Sequence, residues 1–186
     1  MSKTLKRIII IAAGLLIFAF VGFNVMRMQT KKHSPETTVV FEQNDLNISV
    51  NYSRPSKKGR IIFDGLIPYG KVWRTGANEA TTFETNKNLL IDGKVLPAGL
   101  YTLWTIPGLD SWIVIFNSEQ YGWGVNFDGV ASMDPDFNAL QTEVVVERLL
   151  EPVEMFTISF DDSDSLALVM EWDQTHIGVP IQVAQQ

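Results

Sequence analysis

The stretch KVWRTGANEATTFETN, residues 71–86, gathers polar side chains around a glycine that follows shortly after a tryptophan. Arg74 carries a planar guanidinium that suits a carboxylate or a phosphate. Asn78 can donate and accept hydrogen bonds, and Glu79 can pair with a cation or act as an acid or base where its pKa is shifted. Gly76 lets the backbone turn tightly or lets a ligand approach closely. These residue types predict a binding site for a small polar ligand, a glycan or a partner protein.

Three residues of the preceding segment are candidates to join this site, namely Tyr52, Arg54 and Tyr69. Binding is favoured over catalysis, because no nucleophile paired with a base is visible. A structural interpretation competes with binding and is the stronger one on residue types alone. In that interpretation Arg74, Asn78 and Glu79 bridge a turn. Arg54 and Arg74 are then tied to carboxylates, and Trp73 lies in the core.

Metal ions and cofactors are not predicted. The chain has no cysteine and two histidines, so a zinc or copper site of the usual type is not expected. His176 has the opposite parity from Ile177 and Val179 in an expected strand, which predicts a surface position. The acidic run DDSDS, residues 161–165, lacks the glycine and glutamate of a calcium loop and is expected to be a hairpin turn.

The N-terminal segment IIIIAAGLLIFAFVGFNVM, residues 8–26, contains no charge. A helix needs about 20 apolar residues to cross a bilayer. A cleaved signal peptide is the alternative, but its apolar core usually has about 7–15 residues followed by small residues, and here the core is longer and its end is bulky. We therefore expect residues 1–26 to be an uncleaved membrane anchor and residues 27–38, which lack periodicity, to be a linker.

Charge separates this segment from the rest of the chain. Six of the 15 basic residues lie within the first 32 positions, so the remaining nine accompany all 21 acidic residues, a net charge of −12. Such a surface should repel nucleic acid. Both flanks of the apolar segment are basic, and the short N-terminal tail slightly favours a body outside the cytoplasm. We expect a single-pass protein of the inner (cytoplasmic) membrane whose body faces the periplasm or the exterior.

The body, residues 39–186, has the pattern of a β protein. In LNISVNYSR, residues 46–54, apolar and polar residues alternate as in a strand with one buried face. The dipeptide Asp92-Gly93 between apolar runs indicates a type I′ hairpin, and SWIVIFN, residues 111–117, predicts an interior strand because it is apolar on both faces. Further strands are expected in TEVVVERLL, EMFTISFDD, SLALVMEWD and THIGVPIQV. This spacing predicts an all-β, jelly-roll-like antiparallel β-sandwich.

One long segment interrupts the strand pattern. Residues 120–140, QYGWGVNFDGVASMDPDFNAL, show no alternation, and segments of that length are usually functional or disordered. The aromatic residues predict that it packs onto the sandwich: Tyr121, Trp123, Phe127 and Phe137.

Several motifs resemble the bacterial DUF2911 family. They are YSRP at residues 52–55, PYG at 68–70, WRTGANEA at 73–80 and LPAG at 96–99, and the late WDQTHIGVPI is similar too. The resemblance covers roughly residues 46–183. It implies a domain of unknown function in proteins that often look exported, and it assigns no catalytic residue.

Three functions are compatible with these observations. The first is a membrane-anchored β-sandwich that binds a polar ligand, a glycan or an envelope partner through Arg74, Asn78 and Glu79. The second is a hydrolase-type enzyme that uses Glu79 as acid or base, with Asp128 or His176. The third is a structural module of an envelope complex.

Overall fold

The computed structural model describes residues 2–126 and 128–184. The chain divides into two compact units, residues 1–33 and 34–186. The first unit is helix α1, Lys3–His33, whose 31 residues are long and apolar enough to cross a membrane. At 1.5 Å per residue the helix is about 46 Å long, whereas a hydrocarbon core is about 30 Å thick. The apolar N-terminal segment is thus a helix that fits a membrane anchor or a signal sequence.

The segment 27–38, which the sequence predicts to be a linker, begins as helix and ends as strand. Residues 27–33 continue α1, since most of them are good helix formers. Basic residues in the last turn also favour the helix, because its dipole places partial negative charge there. The first strand begins at Glu36, so Ser34 and Pro35 alone separate the helix from the strand.

The described residues of the body form eleven strands. They are β1 (Glu36–Gln43), β2 (Leu46–Ser53), β3 (Thr81–Thr85), β4 (Leu89–Ile91), β5 (Lys94–Leu96), β6 (Gly99–Pro107), β7 (Ser111–Asn117), β8 (Asn138–Val145), β9 (Glu147–Asp161), β10 (Ala167–Pro180) and β11 (Gln182–Val183).

Six of these strands form the larger sheet, in the order β1-β2-β3-β6-β7-β8, and all its neighbours are antiparallel. Leu46, Ile48 and Val50 are buried, as the alternation in β2 predicts. Strand β7 pairs with both β6 and β8, which confirms the interior position predicted for SWIVIFN.

The remaining strands form two further sheets. Strands β11, β4 and β5 form a three-stranded sheet, and β9 and β10 pair with each other. Asp92 and Gly93 join β4 to β5 with φ values of 50° and 69°, as a type I′ turn requires, so the predicted hairpin is confirmed. The DDSDS run likewise connects β9 to β10.

Strands β9 and β10 pack on the inner face of the larger sheet. The rings of Phe41 on β1 and Phe160 on β9 lie 5.7 Å apart, and those of Tyr52 and Phe156 lie 5.8 Å apart. In the described part of the body, β1 and β8 are the edges of the larger sheet and do not pair with each other, so the sheet is open. The predicted antiparallel β-sandwich is confirmed.

Strand β10 bends sharply, and the sequence did not predict this. The segments SLALVMEWD and THIGVPIQV were expected as separate strands, but most of both lies in β10. The bend is at Asp173, which has a φ of 53° and forms an ion pair with Lys57. Beyond the bend the chain returns, so that Ile181 N donates to Leu166 O at 2.8 Å.

An aromatic cluster fills one part of the core. The rings of Trp73 and Trp172 are stacked 6.0 Å apart, and Trp112 lies 6.0 Å from Trp73 at a steep angle. Phe63 contacts all three indoles and comes from the segment between β2 and β3. Residues 54–80 are therefore part of the core even though they contain no long strand.

The long irregular segment between β7 and β8 packs on the sheet through Tyr121. Its ring lies 5.3 Å from that of Trp104, and its hydroxyl donates to Asn117 Oδ1 at 3.3 Å and accepts from Asp134 N at 2.8 Å. Phe137 is exposed, and Phe127 lies outside the described residues. We call residues 118–137 the excursion.

Candidate functional site

The polar turn after Trp73 is attached to the backbone of β6. Trp73 N donates to Thr105 O at 2.7 Å, and Thr105 N donates to Trp73 O at 2.9 Å. The indole Nε1 of Trp73 then donates to Gly76 O at 2.9 Å. The backbone and the side chain of one tryptophan thus hold both sides of the turn.

Thr75 is the most constrained residue of the turn. It is fully buried and has a φ of 54°, which a β-branched residue rarely adopts. Its hydroxyl donates to Thr105 Oγ1 at 3.1 Å, and its carbonyl accepts from Thr81 Oγ1 at 2.6 Å. Such a backbone conformation costs on the order of 1–3 kcal/mol. It persists here because these buried hydrogen bonds fix it.

Gly76 serves packing within the protein. A Cβ at this position would lie 3.0 Å from Ser53 O and 3.0 Å from Thr81 Oγ1. The sequence allowed either a tight turn or a closely bound ligand at Gly76. In the structure, Ser53 O and Thr81 Oγ1 occupy the space beside it.

Asn78 ties the turn to the start of the body. It is buried, has a φ of 61°, and its Nδ2 donates to Ser34 O at 3.3 Å and to Ser53 Oγ at 3.4 Å. Asparagine tolerates this left-handed conformation better than most residues. Both donors of the side-chain amide are engaged within the body.

Arg74 and Glu79 are half-buried and lie close enough to interact electrostatically. Burial lowers the pKa of Arg74, and the negative charge of Glu79 partly opposes this change. The guanidinium Nε is inaccessible to solvent and makes no hydrogen bond within the described residues. Arg74 therefore keeps its charge in a partly desolvated position, with at least one donor unsatisfied.

The excursion covers the aliphatic part of Arg74. Ala80 N donates to Gly122 O at 3.2 Å. A Cβ on Gly124 would lie 2.9 Å from Arg74 Cδ, and Gly124 has a φ of 75°. Sequence reasoning missed both glycines as neighbours of the site, although the Gly-Trp-Gly run within the aromatic excursion was a usable signal for a close backbone approach.

Tyr52 and Arg54 join the two layers of the sandwich. The hydroxyl of Tyr52 accepts from Ile158 N at 2.8 Å and donates to Ile158 O at 3.3 Å. Arg54 Nε donates to Phe156 O at 3.3 Å, and its Nη2 donates to Thr157 Oγ1 at 2.9 Å. The predicted structural role of Arg54 thus uses a carbonyl and a hydroxyl of β9, where the sequence suggested a carboxylate.

Tyr69 is half-buried in the segment before the turn. Its neighbour Gly70 donates its N–H to Pro107 O at 2.8 Å, which places this part of the segment beside the end of β6. The structure therefore gathers Arg74, Asn78 and Glu79 in one turn and directs Tyr52 and Arg54 towards β9.

The residues proposed to assist Glu79 in an enzyme lie elsewhere. His176 is half-buried, and its Nδ1 lies 2.9 Å from Glu171 Oε1 on the other side of the β10 bend. Asp128 is exposed in the excursion, where its N–H donates to Asn126 Oδ1 at 3.0 Å. Within residues 2–126 and 128–184, no group of three or more histidines and carboxylates is placed to hold a metal ion.

The fold and the turn define a class: an antiparallel β-sandwich body preceded by an apolar helix, with a half-buried arginine under an irregular excursion. The chain belongs to the family described as Protein of unknown function (DUF2911), whose family model matches residues 34–181. This confirms the resemblance seen in the sequence motifs. No curated protein and no solved structure matches the chain.

Proposed function

We propose that this protein is a membrane-anchored binding module in which Arg74 receives a carboxylate or phosphate group of a small polar ligand. One observation carries the proposal: Nε of Arg74 is buried and has no hydrogen-bond acceptor within the described residues. A buried donor without an acceptor is destabilising. The guanidinium fork binds carboxylates and phosphates at two points, which would satisfy such a donor.

The surrounding charges shape the expected ligand. Glu79 lies near Arg74 and would favour a ligand that also offers a hydroxyl or amine donor, as a sugar acid or an amino acid does. The net charge of −12 on the chain beyond residue 32 disfavours anions at long range. We therefore expect short-range recognition of modest affinity.

Thermal unfolding of the full chain in detergent tests this proposal. Citrate, inorganic phosphate, sugar phosphates, uronic acids and amino acids would each be added at increasing concentration. A ligand at 100 times its Kd stabilises the folded state by about 2.7 kcal/mol. We expect at least one of these anions to raise the Tm of the wild type, to do so less in Arg74→Lys, and to have no effect in Arg74→Gln.

Arg60→Gln is the matched control, because Arg60 is exposed and donates to two nearby backbone carbonyls, those of Ser56 and Lys57. This variant should keep the full ligand response. Equal responses of the wild type and Arg74→Gln would contradict the proposal, as would the absence of any response to the anions.

A structural module of an envelope complex is the second candidate function. It is favoured by the engagement of Tyr52, Arg54, Thr75 and Asn78 in bonds within the body. The hydrolase alternative has weaker support, since His176 pairs with Glu171 and Asp128 is exposed in the excursion. Cross-linking in native membranes would favour the structural module if one partner were captured at fixed stoichiometry in wild type and Arg74→Gln alike.

We infer further that α1 stays attached in the inner membrane and that the body faces the periplasm or the exterior. Lys3, Lys6 and Arg7 lie directly before the apolar segment, and basic residues beside a membrane span favour the cytoplasmic side, which supports this orientation. A phosphatase reporter fused to the C-terminus should be active, and a reporter that fluoresces only in the cytoplasm should be dark. The opposite pattern would overturn the orientation, and recovery of a shortened soluble chain would show cleavage.

A further inference from the structure

One end of the sandwich receives the chain from α1. Ser34 O accepts from Asn78 Nδ2, and Pro35 O accepts from Arg54 N at 2.9 Å. Because the strands are antiparallel, β1, β3 and β7 begin at this end, while β2, β6 and β8 finish there. We call this the proximal end, and the opposite end of the body the distal end.

Large apolar side chains stand out from the proximal end. Among the described residues of the body, the three most exposed are Leu150 at 93%, Ile61 at 76% and Val145 at 73%. Leu109 and Leu66 are also exposed and lie at this end. Leu109 follows β6, and its carbonyl accepts from Arg148 Nη2 at 3.3 Å.

The local backbone structure accounts for the exposure of Leu150 and Ile61. Leu150 lies in an irregular part of β9. Arg148 pairs with Thr175 and Val153 pairs with Asp173, so four residues of β9 lie opposite one residue of β10. The carbonyl of Leu150 accepts from Gln174 Nε2 at 3.4 Å.

Ile61 lies in the segment 54–70, which leaves β2 at the proximal end and returns there when Gly70 N donates to Pro107 O. Within this segment Ile61 O accepts from Leu66 N at 3.1 Å. The exposed side chains of Ile61 and Leu66 thus belong to one small folded loop.

The distal end has a different surface. Its β1–β2 turn and the residues after β3 form an open groove of about 580 Å³ with a mostly polar lining: Glu42, Gln43, Asn44, Asp45, Leu46, Asn47 and Asn86. Leu100, near the start of β6 at this end, is 47% exposed, which is less than Leu150, Ile61 and Val145. The most exposed large apolar side chains of the described body therefore lie at the proximal end.

Charge at the proximal end does not favour contact with anionic lipid. Exposed basic residues there are Lys58, Arg60, Lys71 and Arg148, and exposed acidic residues include Glu36, Asp64, Asp110, Glu147, Glu151 and Glu154. Contact with lipid at this end would therefore depend on apolar area more than on charge.

We propose that the proximal end rests on the bilayer surface, with Leu150, Val145 and Ile61 inserted at the boundary between headgroups and acyl chains. The partner is lipid, because Ser34 follows α1 directly and the exposed apolar side chains share the end at which α1 joins the body. The proposal rests on α1 being retained as the anchor.

The absence of cysteine allows a direct test in the full chain. Single cysteines at Leu150→Cys, Ile61→Cys and, as a distal control, Ser163→Cys would carry a polarity-sensitive fluorophore, and each protein would be placed in a lipid nanodisc. We expect blue-shifted emission and quenching by spin-labelled lipid at positions 150 and 61, and neither effect at 163. The quenching should persist in zwitterionic lipid and at high salt.

The companion variant Val145→Asp should weaken the quenching at position 61 while the circular dichroism spectrum stays unchanged. The proposal would be overturned if the labels at positions 150 and 61 showed the same emission wavelength and the same lack of quenching as the label at position 163. Protection of position 150 in native membranes but not in pure lipid would assign the surface to a protein partner and would overturn it as well. Retention of the chain in the nanodisc is measured separately, so a failed anchor is distinguished from a failed contact.

Discussion

The end of β2 and the turn after Trp73 contain the two half-buried arginines of the body, and the two regions use them differently. Arg54 directs its guanidinium to a carbonyl and a hydroxyl of β9. Arg74 has a buried Nε without an acceptor in the described residues, next to the charge of Glu79. Structural residues and candidate functional residues can therefore lie close together in one motif-rich segment. What distinguishes the two arginines is whether their buried donors are hydrogen-bonded within the body.

The largest effect is expected at Tyr52, because Tyr52→Phe removes a buried hydroxyl that bonds both the N–H and the carbonyl of Ile158. We expect a loss of about 1–3 kcal/mol in the free energy of unfolding. Denaturant unfolding measures it. Tyr101→Phe is the control, since its hydroxyl donates to the nearby Pro97 O. An equally large loss of stability in Tyr101→Phe would contradict the special contribution of the Tyr52 hydroxyl.

Arg54→Gln should destabilise the body by about 1–2 kcal/mol, because it removes the charged donors that join β2 to β9. Chemical denaturation at neutral pH measures the change. Arg60→Gln, which changes an exposed guanidinium, should cost less than about 0.5 kcal/mol. Equal costs would mean that the bonds of Arg54 to β9 contribute little.

Gly124→Ala tests how tightly the excursion covers Arg74. An alanine at a positive φ costs about 1 kcal/mol, and here its Cβ would also meet Arg74 Cδ at 2.9 Å. Gly129→Ala is the matched control, because Gly129 has a φ of 78° and open space around its Cβ. We expect Gly124→Ala to lower the Tm further than Gly129→Ala and to reduce the response to anions; equal Tm values would show that the contact is loose.

Arg74→Gln should change stability by less than about 1 kcal/mol, because the lost attraction to Glu79 is offset by removal of a partly desolvated charge. The same denaturation assay compares it with Arg54→Gln. A cost at Arg74 equal to or above that at Arg54 would make Arg74 another structural arginine and would remove the contrast between the regions.

The smallest effect is a dependence on alkaline pH. Burial raises the pKa of Tyr52 above its ordinary value of 10.0, so the folded state holds its proton where the unfolded chain loses it. The resulting stability is complete below pH 10 and is lost as the pH rises through the folded pKa. Wild type should therefore lose more stability above pH 10 than Tyr52→Phe does, and parallel pH profiles would show that Tyr52 does not titrate in this way.

Local patterns predicted most of the fold. The alternation in β2, the Asp92-Gly93 hairpin and the doubly apolar β7 each depend on neighbours close in sequence, and all three are confirmed. The bend of β10 was missed, because no local pattern marks Asp173 as its position; there the backbone has a φ of 53° and the side chain pairs with Lys57, which is 116 residues away. The helical conformation of residues 27–33 was not predicted either, because a lack of hydrophobic periodicity does not prevent a helix from continuing.

The sequence by itself determined the apolar helix, the β character of the body and the grouping of Arg74, Asn78 and Glu79, because apolar runs, period-two alternation and adjacency are properties of the chain. Tertiary structure alone decided which polar groups are already bonded. Tyr52 and Arg54 are committed to β9, and Asn78 to Ser34 and Ser53. Hydrogen bonds between distant segments depend on how the layers pack, and residue types cannot specify that packing.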